Sequence, residues 1–190
     1  MNLTAYFSGM LRVLGTRSDW DEKFDLSKAG LKQSSVAVGL TLVFYYICAL
    51  AVQSQRALMA GADAPTAIPI AAFGLILFLY LMTFIGCVYV LTQVFDKQDR
   101  FRTWVIVRHW TLFFMSFLAA LLYGLYLIGM LAFNIANLSA FAIYLSTLIV
   151  DIRIAQKIGG FDWGGAILSG CVIHAMGLTF ILTGILQFSA

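Results

Sequence analysis

Five apolar runs, each about as long as a bilayer-crossing helix needs, constrain this chain more than any other feature. About 20 apolar residues suffice for a helix to cross the hydrocarbon core of a membrane. The five runs cover residues 35–53, 68–95, 105–129, 131–150 and 166–188. We therefore predict an all-α fold, a polytopic membrane protein built as a bundle of five transmembrane helices.

The third and fourth apolar runs are almost continuous, so other residues have to locate the break between them. Residues 104–150 contain a single charged residue, Arg108, and this stretch of 47 residues is too long for one span. Asn134, Asn137 and Ser139 supply turn-forming side chains. We place the break between Gly129 and Ser139.

The composition excludes the soluble classes of protein. Hydrophobic residues make up 62% of the 190 residues and charged residues 11%, against about 45–50% and about 25% in soluble domains. A soluble fold of this size cannot hide so much apolar surface. We therefore exclude an ordinary cytosolic enzyme, a nucleic-acid binder and a disordered chain. Cys48, Cys87 and Cys171 lie inside apolar runs without metal-ligand spacing, so we read them as apolar fillers.

The basic residues predict the direction in which the chain enters the membrane. In a five-span arrangement, eleven of the twelve lysines and arginines fall on one side, and Arg56 falls on the other. Cytoplasmic loops carry the excess of positive charge. We expect a multi-pass integral membrane protein with its N-terminus in the cytoplasm and its C-terminus outside.

The residues before the first span form a cytoplasmic amphipathic segment. This segment is 1–34, and the five-span domain is 35–190. Apolar residues recur at helical spacing from Leu3 to Leu14, which predicts an amphipathic helix over residues 2–15. Such a helix lies in the membrane interface or packs on the ends of the spans, and the pattern suits both. We also expect Asp25 to Ser27 to cap the first membrane helix and Asp162 to cap the last.

Motifs of enzyme catalysis are missing from the sequence. It has no H-E-x-x-H, G-x-S-x-G, Walker A or G-x-G-x-x-G pattern. The apolar runs also contain no carboxylate at mid-depth, although proton-driven pumps usually need one. We therefore expect neither an enzyme nor a catalytic residue.

A basic turn precedes the third span and is our candidate for contact with lipid headgroups. It contains Lys97, Arg100 and Arg102, with Arg108 just beyond. Clusters of this kind bind anionic headgroups. The alternative for Arg108 is a snorkelling side chain, anchored beside Trp104 and Trp110 at the interface.

The fifth span carries a stripe of small residues. Gly170, Gly177 and Gly184 recur every seven residues, and His174 lies between the first two on the same face. Small residues at this spacing let helices approach closely, and a buried histidine hydrogen-bonds across the contact. The alternative for His174 is a ligand or proton-relay group. A bis-histidine haem would need His109 as the second ligand, but we expect no cofactor and no metal.

The outline of the chain resembles the Yip family of five-span membrane proteins. The likeness lies in Asp99-Arg100-Phe101-Arg102-Thr103-Trp104 before the third span, in the amphipathic start, and in the glycine-rich stretch 159–165. It is mainly one of topology. The resemblance implies an interaction or scaffold role without catalytic chemistry, and it transfers no site residue.

From these sequence features we expect one of two functions. The first is a non-enzymatic membrane scaffold or accessory subunit of a membrane complex, with membrane lipids and other membrane proteins or a second copy as partners and no nucleic acid. The alternative is a small transporter or channel subunit, formed by an oligomer if one chain does not suffice. Its pathway would use polar residues of the spans, namely Thr41, Thr83, Ser116, Tyr123, Ser146, Thr147, His174 and Thr179.

Overall fold

The computed structural model describes residues 2–15, 19–60 and 70–187, and regular structure in these ranges is entirely helical. The helices are α1 (Leu3–Leu14), α2 (Lys28–Ala60), α3 (Ile70–Val94), α4 (Phe101–Leu127), α5 (Phe133–Lys157) and α6 (Trp163–Gln187), with single 3₁₀ turns at Asp21–Lys23 and Gln98–Arg100. The helices α2 to α6 are long and apolar enough to cross a membrane. The predicted all-α architecture with five candidate spans and a short apolar N-terminal helix is confirmed.

The helix α1 packs against the bundle along one face. Asn2 caps it, because its Oδ1 accepts a hydrogen bond from the backbone N–H of Ala5 at 3.1 Å. Tyr6, Met10 and Val13 lie on the buried face, and this helix contacts α4 and α5. Leu3 and Phe7 lie at the edge of this face and stay about 40% exposed, and the ring of Phe7 packs edge-on to Phe114 of α4. Of the two arrangements open from the sequence, packing on the spans accounts for the buried residues and leaves Leu3 and Phe7 partly uncovered.

The helix α2 begins earlier than the first apolar run. The Ser27 hydroxyl accepts hydrogen bonds from the N–H groups of Ala29 and Gly30 at 3.1 and 3.3 Å, so the predicted cap is confirmed. The Asp25 carboxylate accepts a hydrogen bond from the Ser27 N–H at 3.0 Å, and hydrogen bonding with Ser27 lowers the pKa of Asp25. Because α2 runs unbroken from Lys28, the boundary we placed after residue 34 falls inside a helix.

The helix α4 is the centre of the bundle. Within its most apolar stretch 67% of the residues are buried, against 17–28% in the other four spans. It packs most extensively on α2 and α5 and also contacts α1 and α3, while α6 lies against α5 and α3. A polar side chain in the buried part of α4 therefore has to find its partners inside the protein.

The break between α4 and α5 begins where the sequence predicts it. Gly129 has a φ of +78°, and the N–H groups of Gly129 and Met130 donate to the carbonyls of Tyr126 and Leu125, each at 2.9 Å. This is the Schellman arrangement, which glycine favours because it adopts a left-handed conformation. The predicted break was too long, because Asn134, Asn137 and Ser139 all lie within α5.

Three basic segments meet at one end of the bundle. The Arg153 guanidinium donates to the Gly15 carbonyl at 2.9 Å, and Lys157 also reaches this carbonyl, so the end of α1 lies beside the end of α5. The ring of Phe161 stacks on Phe95 and packs edge-on to Trp104, with centroid distances of 4.4 and 5.3 Å. The N-terminal segment, the α3–α4 turn and the α5–α6 turn therefore share one end.

Candidate functional site

A charged pair lies buried between α4 and α5. The Nε of Arg108 is 2.5 Å from Oδ1 of Asp151, and its Nη2 donates a hydrogen bond to Oδ2 at 3.2 Å. The side chains are 5% and 0% exposed. This two-point contact holds the guanidinium and the carboxylate in a fixed relative orientation. Both side chains of this pair are buried, unlike those of the salt bridges Arg12–Asp19 and Arg100–Asp99.

Side chains from α2 and α3 complete the surroundings of the pair. The hydroxyls of Tyr45 and Tyr80 lie within electrostatic range of Arg108. The guanidinium carbon lies 5.6 Å from the ring centroid of Phe84, which adds a cation–π contact. The Tyr80 hydroxyl also hydrogen-bonds with the Arg108 side chain, so α3 as well as α5 supplies a polar partner to the guanidinium.

The next residue on α4 makes a separate contact. His109 lies 3% exposed, and its Nδ1 is 3.1 Å from the Ser34 hydroxyl of α2. Its Nε2 is buried without a partner among the described residues. His109 therefore ties α4 to α2, while Arg108 ties α4 to α5.

The other histidine contacts the helix α5. Nδ1 of His174 lies 3.4 Å from the Thr147 hydroxyl, and its backbone carbonyl accepts a hydrogen bond from Tyr144 at 3.2 Å. The rings of His174 and Tyr144 are 4.6 Å apart. The two histidines thus have different neighbours, His109 on α2 and His174 on α5. The described residues also hold no group of three metal-ligating side chains.

Polar side chains continue along α4 away from the charged pair. Arg108, Ser116 and Tyr123 fall within one sector of the helix, since eight and fifteen residues correspond to about two and four turns. The Ser116 hydroxyl is buried beside Tyr45. The Tyr123 hydroxyl donates to Asn137 at 2.8 Å near the opposite end of the bundle. Polar groups thus recur along α4 from one end of the helix to the other.

The predicted headgroup cluster does not include Arg108. Lys97 is partly exposed, and Arg100 and Arg102 are exposed at the α3–α4 turn, where Arg100 also pairs with Asp99 at 2.9 Å. Arg108 lies in α4, and its partner is Asp151 rather than a headgroup. Our assignment of Arg108 to the interface, as a headgroup ligand or as a snorkelling side chain, was wrong because Asp151 supplies a partner inside the bundle.

The stripe of small residues on α6 is closest to its neighbours at Gly170. A Cβ placed on Gly170 would clash with the side chain of Ile152 on α5 and lie 2.9 Å from its backbone nitrogen. A Cβ on Gly177 would meet only Tyr80 and Tyr144, at 3.5 Å or more. The surroundings of Gly184 fall outside the described residues. The close helix contact is therefore centred on Gly170 and His174 and is formed with α5.

Sequence reasoning missed Asp151, one partner of the buried pair. The fourth apolar run ends at Val150, so Asp151 lies just beyond the predicted span, whereas α5 continues to Lys157. One signal was available: Asp151 directly follows the run, and helix periodicity places it on the face of Thr147 and Ile154. These two flanking residues are buried.

The comparisons with known proteins add no relative. No family model, no curated protein and no solved structure matches this chain. The chain is accordingly described by what its own residues form, an all-helical protein with five helices of membrane-crossing length and composition.

Proposed function

We propose that this protein is a non-enzymatic integral membrane scaffold or accessory subunit. The observation that carries the proposal is the distribution of side chains in the spans: several hydroxyl groups hydrogen-bond within their own helix or to a neighbouring helix, and apolar side chains cover the outside of the bundle. Such a protein acts through its surface rather than through a chemical centre.

The hydroxyl groups of the spans illustrate the first part of this pattern. Those of Thr41, Ser146, Thr147 and Thr179 each donate to a backbone carbonyl of their own helix, at 2.6 to 3.0 Å. The Tyr126 hydroxyl of α4 donates to Gln55 of α2 at 3.0 Å. Groups satisfied in this way are not free to line a water-filled pathway.

The outward part of the pattern is clearest on α5. Its exposed apolar residues recur every three or four positions and therefore form one stripe: Ile135, Leu138, Phe141, Leu145 and Ile149. A stripe of this kind faces lipid or a partner helix. The topological likeness to the Yip family, whose members lack catalytic motifs, supports the interaction role.

Purification in mild detergent with mass spectrometry of the associated proteins tests the proposal. We expect a membrane protein to accompany the wild type in a stable ratio and to be lost when Phe141 and Leu145 are both replaced by Lys. The matched control replaces Phe78 and Met82 of α3 by Lys, because these two side chains are similarly exposed, and it should keep the associated protein. A protein that purifies alone from every membrane extract and is monomeric contradicts the proposal.

A small transporter is the second candidate, and the buried charged pair favours it. Ionisable groups inside a membrane protein mark ion or proton pathways unless they serve structure alone. Arg108 and Asp151 sit where α4, α5 and the tyrosines of α2 and α3 meet. Proteoliposomes with an internal pH-sensitive dye separate the two candidates. Proton or anion flux that Asp151→Asn abolishes would establish transport and displace the scaffold proposal.

A further inference from the structure

We propose that the outward face of α2 binds one anionic phospholipid at the basic end of the bundle. Five residues that recur every three or four positions on this face form what we call the α2 stripe: Lys28, Lys32, Val36, Gly39 and Val43. All five are exposed, because among the described helices α2 packs chiefly on α4 and leaves its opposite side uncovered. The inference does not depend on the proposed scaffold function.

The two lysines of the α2 stripe lie at the depth of the lipid headgroups. The apolar run of α2 begins at Ser35, three residues after Lys32 and seven after Lys28. At about 1.5 Å per residue these intervals correspond to about 4.5 and about 10 Å, beside a headgroup layer that is roughly 5–8 Å thick. Because residues four apart on a helix are neighbours, both ammonium groups can reach one phosphate.

The acidic residues that precede α2 lie away from the α2 stripe. A Cβ placed on Gly30 would be 2.9 Å from the carboxyl carbon of Asp25. Gly30 is two positions from each lysine, and residues two apart lie on opposite sides of a helix, so Asp25 is on the far side of α2. The turn Asp21–Lys23, which contains Glu22, packs against α1. In the described part of the chain neither lysine forms an ion pair, so their charge is available to a phosphate.

The apolar part of the α2 stripe offers the acyl chains a surface below the headgroup. Val36 and Val43 are exposed, and nothing lies within 4 Å of a Cβ placed on Gly39 between them. The glycine therefore leaves a notch in the helix surface. The neighbouring Ser35 hydroxyl donates to the Leu31 carbonyl at 3.1 Å, so it asks for no polar partner in the hydrocarbon.

The charge of the α2 stripe selects an anionic lipid among the possible occupants. A small residue on an exposed helix face, such as Gly39, also suits a second copy of the chain packed helix against helix. Two copies inserted in the same orientation would bring their lysine pairs together along this face, and the repulsion of like charges opposes such a dimer. A phosphate with no ammonium of its own is instead complementary to both lysines. Phosphatidylglycerol has such a headgroup, whereas the ammonium of phosphatidylethanolamine offsets its phosphate.

Native mass spectrometry of bound phospholipid tests the inference. The wild-type protein is reconstituted in vesicles of equal amounts of phosphatidylethanolamine and phosphatidylglycerol, extracted into mild detergent and washed. We expect one phosphatidylglycerol per chain to be retained. Replacing Lys28 or Lys32 by Gln should weaken its retention about fivefold, and replacing both should abolish the preference for it, because each basic residue near the membrane surface contributes to anionic-lipid binding.

A control with the same change in charge separates a site from general attraction to the basic end. Lys97→Gln with Arg102→Gln also removes two positive charges at this end of the bundle, from a turn that carries Asp96 and Asp99 as well. This variant should keep the lipid.

A second pair of variants tests the acyl-chain part of the site. Gly39→Leu fills the notch and should shorten the retention of phosphatidylglycerol. Gly86→Leu is the matched control, because nothing lies within 4 Å of a Cβ at Gly86 in α3 either.

Each outcome of these experiments decides the proposal. Loss of phosphatidylglycerol in the double lysine variant and in Gly39→Leu, with retention in both controls, supports it. Equal retention of the two lipids by the wild type, equal loss in the two charge variants, or equal retention by the two glycine variants overturns it. A dimer or an associated membrane protein that Gly39→Leu dissociates also overturns it, since the α2 stripe would then be covered by protein.

Discussion

The Arg108–Asp151 pair shows what a single buried carboxylate changes in a membrane protein. A charge at this depth is costly, and it persists because its partner is within contact distance. The guanidinium would otherwise have to reach the interface, as we expected from the sequence. Because Asp151 is 0% exposed on its side chain, the pair is a strong constraint on how α4 and α5 pack.

Removing one member of the pair should destabilise the protein far more than removing both. Asp151→Ala leaves an uncompensated buried guanidinium, which costs about 3–5 kcal/mol, whereas apolar replacement of a buried pair is often neutral. We therefore expect Asp151→Ala to lower the unfolding temperature in detergent strongly, and Arg108→Met with Asp151→Leu to restore most of it. Additive losses in the double variant would show that the two side chains are not coupled in the folded protein.

Individual residues were predictable where the chemistry is local. The caps at Ser27 and Asp162 followed from the sequence, and Asp162 accepts a hydrogen bond from the Gly165 N–H at 2.8 Å. The partner of Arg108 was not predictable in the same way. It lies 43 positions away, and whether two charges meet depends on the packing of two helices.

Helix contacts are decided by a few positions, and α6 illustrates this. The sequence pattern gave three equivalent glycines at intervals of seven. In the structure Gly170 lies against the backbone of Ile152, while Gly177 has room for a methyl group. Spacing identifies the face of a helix, but only the arrangement of the neighbouring helices shows which glycine is at the crossing point.

Gly170→Ala should therefore destabilise the protein although alanine favours helices. The added methyl group overlaps Ile152, and overpacking of this kind typically costs about 1–3 kcal/mol. Gly86→Ala is the matched control, because nothing lies within 4 Å of a Cβ at Gly86 in α3. Thermal unfolding in detergent should show a clear loss for Gly170→Ala and little change for Gly86→Ala. Equal behaviour of the two variants would mean that α5 and α6 do not approach closely at this point.

The number and order of the helices were predictable, and their ends were less so. Hydropathy detects the part of a helix that lies in hydrocarbon, and helices continue beyond it wherever caps and packing allow. Thus α2 begins seven residues before the apolar run at Ser35, and α5 continues seven residues past Val150. Asp151 was missed for this reason alone.

The fold of the whole chain brings its basic segments together at one end of the bundle. Arg153 and Lys157 bond to the end of α1, and the aromatic contacts of Phe161 join the α5–α6 turn to the α3–α4 turn. Five crossings by α2 to α6 require that the end of α6 lies at the other end. We predict that the basic end lies on the cytoplasmic side, because cytoplasmic loops carry an excess of lysines and arginines.

Reporter fusions that are active on only one side of the membrane test this topology. A reporter inserted in the α5–α6 turn, between residues 158 and 162, should behave as cytoplasmic, and one fused after Ala190 should behave as external. A variant with fewer basic residues provides the control. Replacing Lys97, Arg100 and Arg102 by Gln weakens the charge difference between the two sides of the membrane. Because the distribution of positive charge sets orientation, this variant should give a mixed signal at both reporter positions. A cytoplasmic signal from both reporters would contradict the five-span topology, since α6 would then not cross the membrane, and a cytoplasmic C-terminus with an external α5–α6 turn would contradict the predicted orientation.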